Sequence, residues 1–203
     1  MSSKRLGCGM ILVCLWATGC HHIKSDYPAF LAEHGADSDL PPTSLRASYA
    51  IEPRTSLHYY EVRSVAAGYG NRWIIEFGDM LDQTMQADYV QRAFVRPSHY
   101  TPGRVEPGYA LLFELVDYRI TSFTAHIQLR ISLRHDGQPM FSKLYQADGP
   151  EHFGKVAWGG AFTMRGAIQD STKGAVDQIL RTFLNELEPL LKPTQSPPLQ
   201  AAR

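Results

Sequence analysis

The chain has 203 residues, of which 44% are hydrophobic and 20% charged, with 20 Lys+Arg against 20 Asp+Glu. Such a composition belongs to a folded globular protein and excludes a disordered or fibrous one. The even balance leaves no basic stripe to neutralise nucleic-acid phosphates, and the length suits one domain around a single core.

The chain opens with Lys4 and Arg5, continues through the apolar run Leu6 to Trp16, and ends this leader on small residues, as a secretory signal does. That apolar run of 11 residues is too short for a membrane helix, which takes ~20. The segment Trp16-Ala17-Thr18-Gly19-Cys20 resembles the lipobox of bacterial lipoproteins, with Ala17 in the place where Leu is usual. The resemblance implies that residues 1–19 are removed and that Cys20 is acylated as the new N-terminus. An ordinary signal cut near Gly19 without lipid is the alternative. Cys8 and Cys14 lie inside the leader, so removal of 19 of the 203 residues leaves 184 with Cys20 as their one cysteine, and no intramolecular disulfide is possible. An exported compartment is oxidising, and acylation consumes a thiol that would otherwise be a liability there. Two or more acyl chains, at ~0.8 kcal/mol per buried methylene, give permanent attachment. In Gram-negative lipoproteins an Asp after the cysteine marks the inner membrane; His21 stands there instead, which implies the outer membrane, on its periplasmic face. Loss of Lys4 and Arg5 from a balance of 20 and 20 takes the formal charge to −2, so no polybasic grip on anionic lipid is expected.

Residues 20–44, with Pro28, Pro41, Pro42 and the polar run Glu33 to Asp39, read as a flexible tether reaching at most ~80 Å. Leu45 to Glu52 and Leu57 to Val65 read as one or two strands, and Gly68-Tyr69-Gly70 as a turn. A helix is predicted after Asn71 as N-cap, with Ile74, Phe77, Leu81 and Met85 on one face and Val90 and Phe94 continuing to a stop at Pro97. Trp73 and Ile75 flank that stripe and widen it, which makes them candidates for contact with a partner or an acyl chain.

Ala110 to Arg119 reads as a well-covered strand. Phe123 to Arg134 alternates apolar and polar residues without a break, which predicts a strand with one dry and one wet face. Asp136-Gly137 supplies a hairpin turn, and Met140 to Ala147 returns as its partner strand. A polar loop follows, in which Trp158, Gly159 and Gly160 are further candidates for partner or lipid contact. A second helix is predicted to start between Ala161 and Ser171 and to run to about Glu188, with Pro189 ending or kinking it. Residues 193–203 read as a disordered tail, leaving 45–192 as the domain. The expected fold is α+β in the order β(β)-α-β-β-β-α, with two helices layered on one face of a mainly antiparallel sheet.

The eight histidines include no spacing that puts two metal ligands on one helix face, and no nucleophile elbow or phosphate loop is present. No metal, no cofactor and no enzymatic activity are therefore expected. An enzyme with a dispersed site would need two or more of His58, Glu61, Glu114, Asp117 and His152 in one cleft.

Trp73 followed by Met80-Leu81 and Phe94-Val95, the stretches Leu111 to Asp117 and Ile127 to Leu133, Phe141, and a last helix with Ala175, Ile179 and Leu184 together resemble the auxiliary lipoproteins of bacterial ABC-type lipid transporters. The resemblance covers about Leu57 to Leu191 and rests on residue type, not on a catalytic signature. Members of that family open the mature domain with a Tyr-rich strand soon after the anchor, whereas the 20–44 segment delays it here. Similarity to the small lipoprotein that plugs the lipopolysaccharide-export barrel is nearly as good. The resemblance implies a non-catalytic, lipid-anchored periplasmic component that binds a protein partner in an envelope lipid-transport or assembly complex, with phospholipid as candidate cargo. The alternatives are a structural or adhesion lipoprotein that binds peptidoglycan or a secretion machine, and the enzyme just described.

Overall fold

A computed structural model of the chain describes residues 20–22, 26–63, 72–151 and 153–191. The leader, the Gly68-Tyr69-Gly70 turn, Asn71, His152 and the tail lie outside these residues. In chain order the elements are β1 (Cys20–His22), α1 (Tyr27–His34), β2 (Ala47–Ile51), α2 (Pro53–Ser56), β3 (Tyr59–Arg63), β4 (Arg72–Glu76), α3 (Phe77–Gln86), α4 (Asp88–Ala93), β5 (Tyr109–Thr121), β6 (Thr124–His135), β7 (Gln138–Asp148) and α5 (Phe153–Leu191). The strands form a four-stranded sheet ordered β2-β5-β6-β7 and a three-stranded sheet ordered β1-β4-β3. The α+β class and the mainly antiparallel sheet are as expected, except that β2 joins β5 in parallel.

Strict alternation makes β6 the spine of the larger sheet. Its Ala125, Ile127, Leu129, Ile131 and Leu133 are buried, and across the ladder Leu111 faces Leu133 while Phe113 faces Ile131. Ile168, Val176, Ile179, Leu180 and Phe183 of α5 are buried in the same core, so removal of apolar area from water fixes which face is inside. The other face stays wet. Arg130 donates to both carboxylate oxygens of Glu114 at 2.9 Å, and Ser132 and Ser142 share a hydrogen bond of 2.8 Å. Asp136 and Gly137 have φ of 49° and 77°, the mirror-image turn that matches strand twist in a two-residue hairpin. The extra residue between Leu115 and Asp117 is a bulge that turns Val116 outward, 44% exposed.

Three expectations are corrected. The helix expected after Asn71 is a strand followed by two short helices: Trp73-Ile74-Ile75 is aromatic and β-branched and pairs with β3 in register, and helix begins only at Phe77. A five-residue strand feeding a helix reproduces helical spacing by coincidence, because Ile74, Phe77 and Leu81 are three and seven residues apart. Ala87, with φ −66° and ψ 142°, then divides α3 from α4. The last helix starts at Phe153, well before Ala161, and includes Pro189 instead of ending there. Finally, much of 20–44 is folded, because Tyr27, Leu31 and Leu40 are core residues.

Candidate functional site

The first site element is the junction between Cys20 and the domain. The β1 backbone pairs in parallel with β4, placing Cys20 opposite Arg72 and His21 opposite Trp73. From Asp26 the chain is fastened to α5. Arg165 pairs with Asp26, and the Gln169 amide donates to Asp26 Oδ1 at 3.0 Å. Tyr27 and Thr84 share a buried hydrogen bond of 3.2 Å. Farther on, Ser38 Oγ donates to Asp177 Oδ2 at 2.6 Å, Lys173 Nζ donates to the same oxygen at 2.7 Å, and Tyr89 OH donates to Asp177 Oδ1 at 2.7 Å. Lys173 also contacts Ser38 Oγ, and Arg181 Nε donates to Asp39 O at 3.0 Å. Burial, reinforced by the Asp177 charge, pushes the Tyr89 hydroxyl far above its ordinary pKa. It therefore stays a neutral donor. The stretch between Cys20 and the first clamp at Asp26 spans at most ~20 Å when extended, so the reach of a 25-residue tether is lost.

Trp73 and Ile75 do not offer a second surface. Strand alternation turns both inward, 4% and 0% exposed, and the Arg165 guanidinium sits 5.9 Å from the Trp73 ring centre. The reading of them as contact residues came from placing them on a helix. Trp158, Gly159 and Gly160 lie in the first turns of α5, not in a loop, and the side chain of Trp158 lies outside those described.

A groove of about 430 Å³ between α1 and the α3–α4 pair was not foreseen. Pro28, Leu31 and Ala32 form one wall, and Gln83, Ala87 and Arg92 the other. Gln83 Oε1 is buried there without a hydrogen-bond partner, an acceptor suited to a ligand N–H or O–H. Beneath the α1 end of the groove, a Cβ on Gly35 would come within 3.1 Å of the Tyr89 ring. The groove was legible only through α1, whose signal was Asp26 followed by Pro28 in the first turn, with Tyr27, Leu31 and His34 at helical spacing.

Of the dispersed catalytic set, Asp117 lies near enough to His58 to act on its charge. Glu114 is held by Arg130 on the wet sheet face, while His58 lies edge-on to Tyr118 with Nε2 buried and lacking a hydrogen bond. Burial lowers the His58 pKa, against a smaller opposite pull from Asp117. His152 lies outside the described residues. Among the described residues no group of three His, Cys, Asp or Glu is placed to hold a metal ion, and no helix is long and apolar enough to cross a membrane.

No family model matches the chain, and no curated protein does. Among solved structures, the chain is similar to a Xanthomonas campestris protein described under the family model DUF330, at 16% identity with a TM-score of 0.44, over 75% of this chain and 91% of that one. It is also similar to a hypothetical protein of Chlamydia trachomatis, at 10% identity with a TM-score of 0.34, over 70% of this chain and 96% of the other. At these values neither likeness carries an argument about function.

Proposed function

We propose that the protein is a non-catalytic lipoprotein, anchored through acylated Cys20 to the periplasmic face of the outer membrane, which works as an auxiliary binding component of an envelope lipid-transport or assembly complex. The observation that carries the anchor is the basic and apolar leader ending in Thr18-Gly19-Cys20, followed within six residues by a clamp onto the domain core at Asp26. The binding role is supported by the groove between α1 and α3–α4 with its unpartnered Gln83 carbonyl, and by the sequence resemblance to auxiliary lipoproteins over Leu57 to Leu191. In this reading the domain is held near the bilayer and presents its groove and wet sheet face to a partner.

Cell fractionation tests the anchor: the native protein stays with membranes through high salt, and Cys20→Ala moves to the soluble periplasm. A variant that remains with membranes would refute lipid attachment. Crosslinking in intact cells followed by mass spectrometry tests the role, the predicted result being subunits of a lipid transporter. Peptidoglycan fragments in their place would favour the adhesion alternative.

A further inference from the structure

Basic charge that is balanced over the whole chain is gathered at one end of the larger sheet. Arg46 and Arg96 line a cleft of about 450 Å³ beside the start of β2, and Arg104 and Arg134 line one of about 270 Å³ beside the β6–β7 turn. Glu106 lines both and joins them. Ser48 in the first cleft and Ala110 and Arg134 in the second occupy one rung across β2, β5 and β6. The two clefts are therefore about 10 Å apart, or two strand spacings. All four arginines are exposed. Arg119, Arg130 and Arg165 elsewhere have carboxylate partners, whereas these four form no ion pair or side-chain hydrogen bond among the described residues. Of the acids at this end, Asp136 is engaged by Gly108 N at 2.7 Å and by His135, which leaves Glu106 to face the arginines.

Val95 and Arg96, both on the wall of the first cleft, have φ of 54° and 59°. A β-branched residue enters that left-handed region only at a cost, and such strain is kept where backbone must hold a side chain in place for function. Val95 and Val105 stand exposed among the arginines, a mixture of apolar and guanidinium groups that suits a protein interface. The cluster is also far from the anchor. Ala125 N bonds Ser171 of α5, and Asp26 is held by Arg165 and Gln169, nearer the start of the same helix. From Ala125 to Arg134 along β6 is about 30 Å, several Debye lengths at physiological salt, so the headgroups around the anchor are out of reach. The fitting ligand carries two or more carboxylates about 10 Å apart, a span that one phosphate does not bridge. We infer that the two clefts together dock an acidic segment of a protein partner. The inference rests on the reading of the protein as a binding component and deepens it, by naming the face used and the charge of what is bound.

The test uses the native protein purified in a non-ionic detergent and a fluorescein-labelled peptide of glutamates, eight or so in length, as the acidic probe. Fluorescence anisotropy should show binding that weakens as salt rises. Arg46→Gln with Arg96→Gln, and Arg104→Gln with Arg134→Gln, should each weaken it about 10-fold, the worth of two exposed charge pairs. Arg54→Gln with Arg119→Gln, which removes the same charge from exposed sites elsewhere, should leave it within about 2-fold of the parent. Circular dichroism confirms that each variant is folded. No binding by the parent, or equal losses in the three double variants, overturns the inference. Competition by inorganic phosphate, or by micelles doped with phosphatidylglycerol, as strong as that of the unlabelled peptide would assign the clefts to phosphate groups and overturn it too. Crosslinking in intact cells separates the two levels. Partner crosslinks that persist undiminished in both cleft variants refute the docking face and leave the binding role standing, whereas a parent that captures no partner refutes the binding role itself.

Discussion

Asp177→Ala should be among the most damaging single substitutions in the protein, although it removes no apolar side chain. Asp177 and Lys173 are 7% and 6% exposed, and the carboxylate receives Ser38, Lys173 and Tyr89 at 2.6, 2.7 and 2.7 Å. Breaking a buried pair by deleting one partner costs about 3–5 kcal/mol, because a charge is left without compensation. The Tyr89 hydroxyl also loses its acceptor, at about 1 kcal/mol more. Lys173→Met should cost less, about 2–3 kcal/mol, since Asp177 keeps two donors. Ser38→Ala should cost about 1 kcal/mol. Urea unfolding followed by circular dichroism gives these differences, and in a thermal scan Asp177→Ala should lower Tm by about 10 °C for a domain of this size. Limited proteolysis supplies the structural readout: all three variants should become sensitive between Gly35 and Leu45, where the segment is held by this network. A loss under about 1 kcal/mol for Asp177→Ala, or a larger loss for Lys173→Met than for Asp177→Ala, would refute the picture of a clamped segment.

Further outcomes follow from the same structure. Gln83→Leu removes the unpartnered carbonyl and should stabilise the domain by about 1 kcal/mol in urea unfolding, while abolishing binding of any ligand that donates to the groove. Gly149→Ala should fail to fold or lose several kcal/mol, since a Cβ there would stand 1.9 Å from Ser171 O; normal expression and thermal stability would contradict the close approach. The His58 imidazole has a folded pKa below its ordinary value, so the unfolded state binds more protons between the two values. Stability should therefore rise with pH across a window ending near the unperturbed pKa of ~6.5, and should be lost as pH falls. His58→Gln should flatten that slope in unfolding curves taken at several pH values. Ile75→Ala should cost about 2–4 kcal/mol in urea unfolding, as a core truncation.

The sequence disclosed elements whose signal is local and long. The twelve residues of β6 state their period many times over, Asp136-Gly137 names its own turn, and the α5 stripe from Ile168 to Leu187 is unmistakable. Short elements whose reason lies elsewhere in the chain were misread. Arg72–Glu76 is a strand because β3 and β1 pair on its two sides, which no window of five residues discloses. Gly159, Gly160 and Gly166 lower helix propensity enough to hide the start of α5. The 26–45 segment is polar and proline-rich, yet Asp26, Ser38 and Asp39 are fastened by residues roughly 135 to 143 positions away. The groove shared that fate, because one of its walls is α1.

Intact-mass measurement of the native protein extracted from membranes tests the central claim most directly. The account predicts a polypeptide beginning at Cys20 with the added mass of two or more acyl chains. A chain with a free thiol at Cys20, or one that retains its leader, would contradict it.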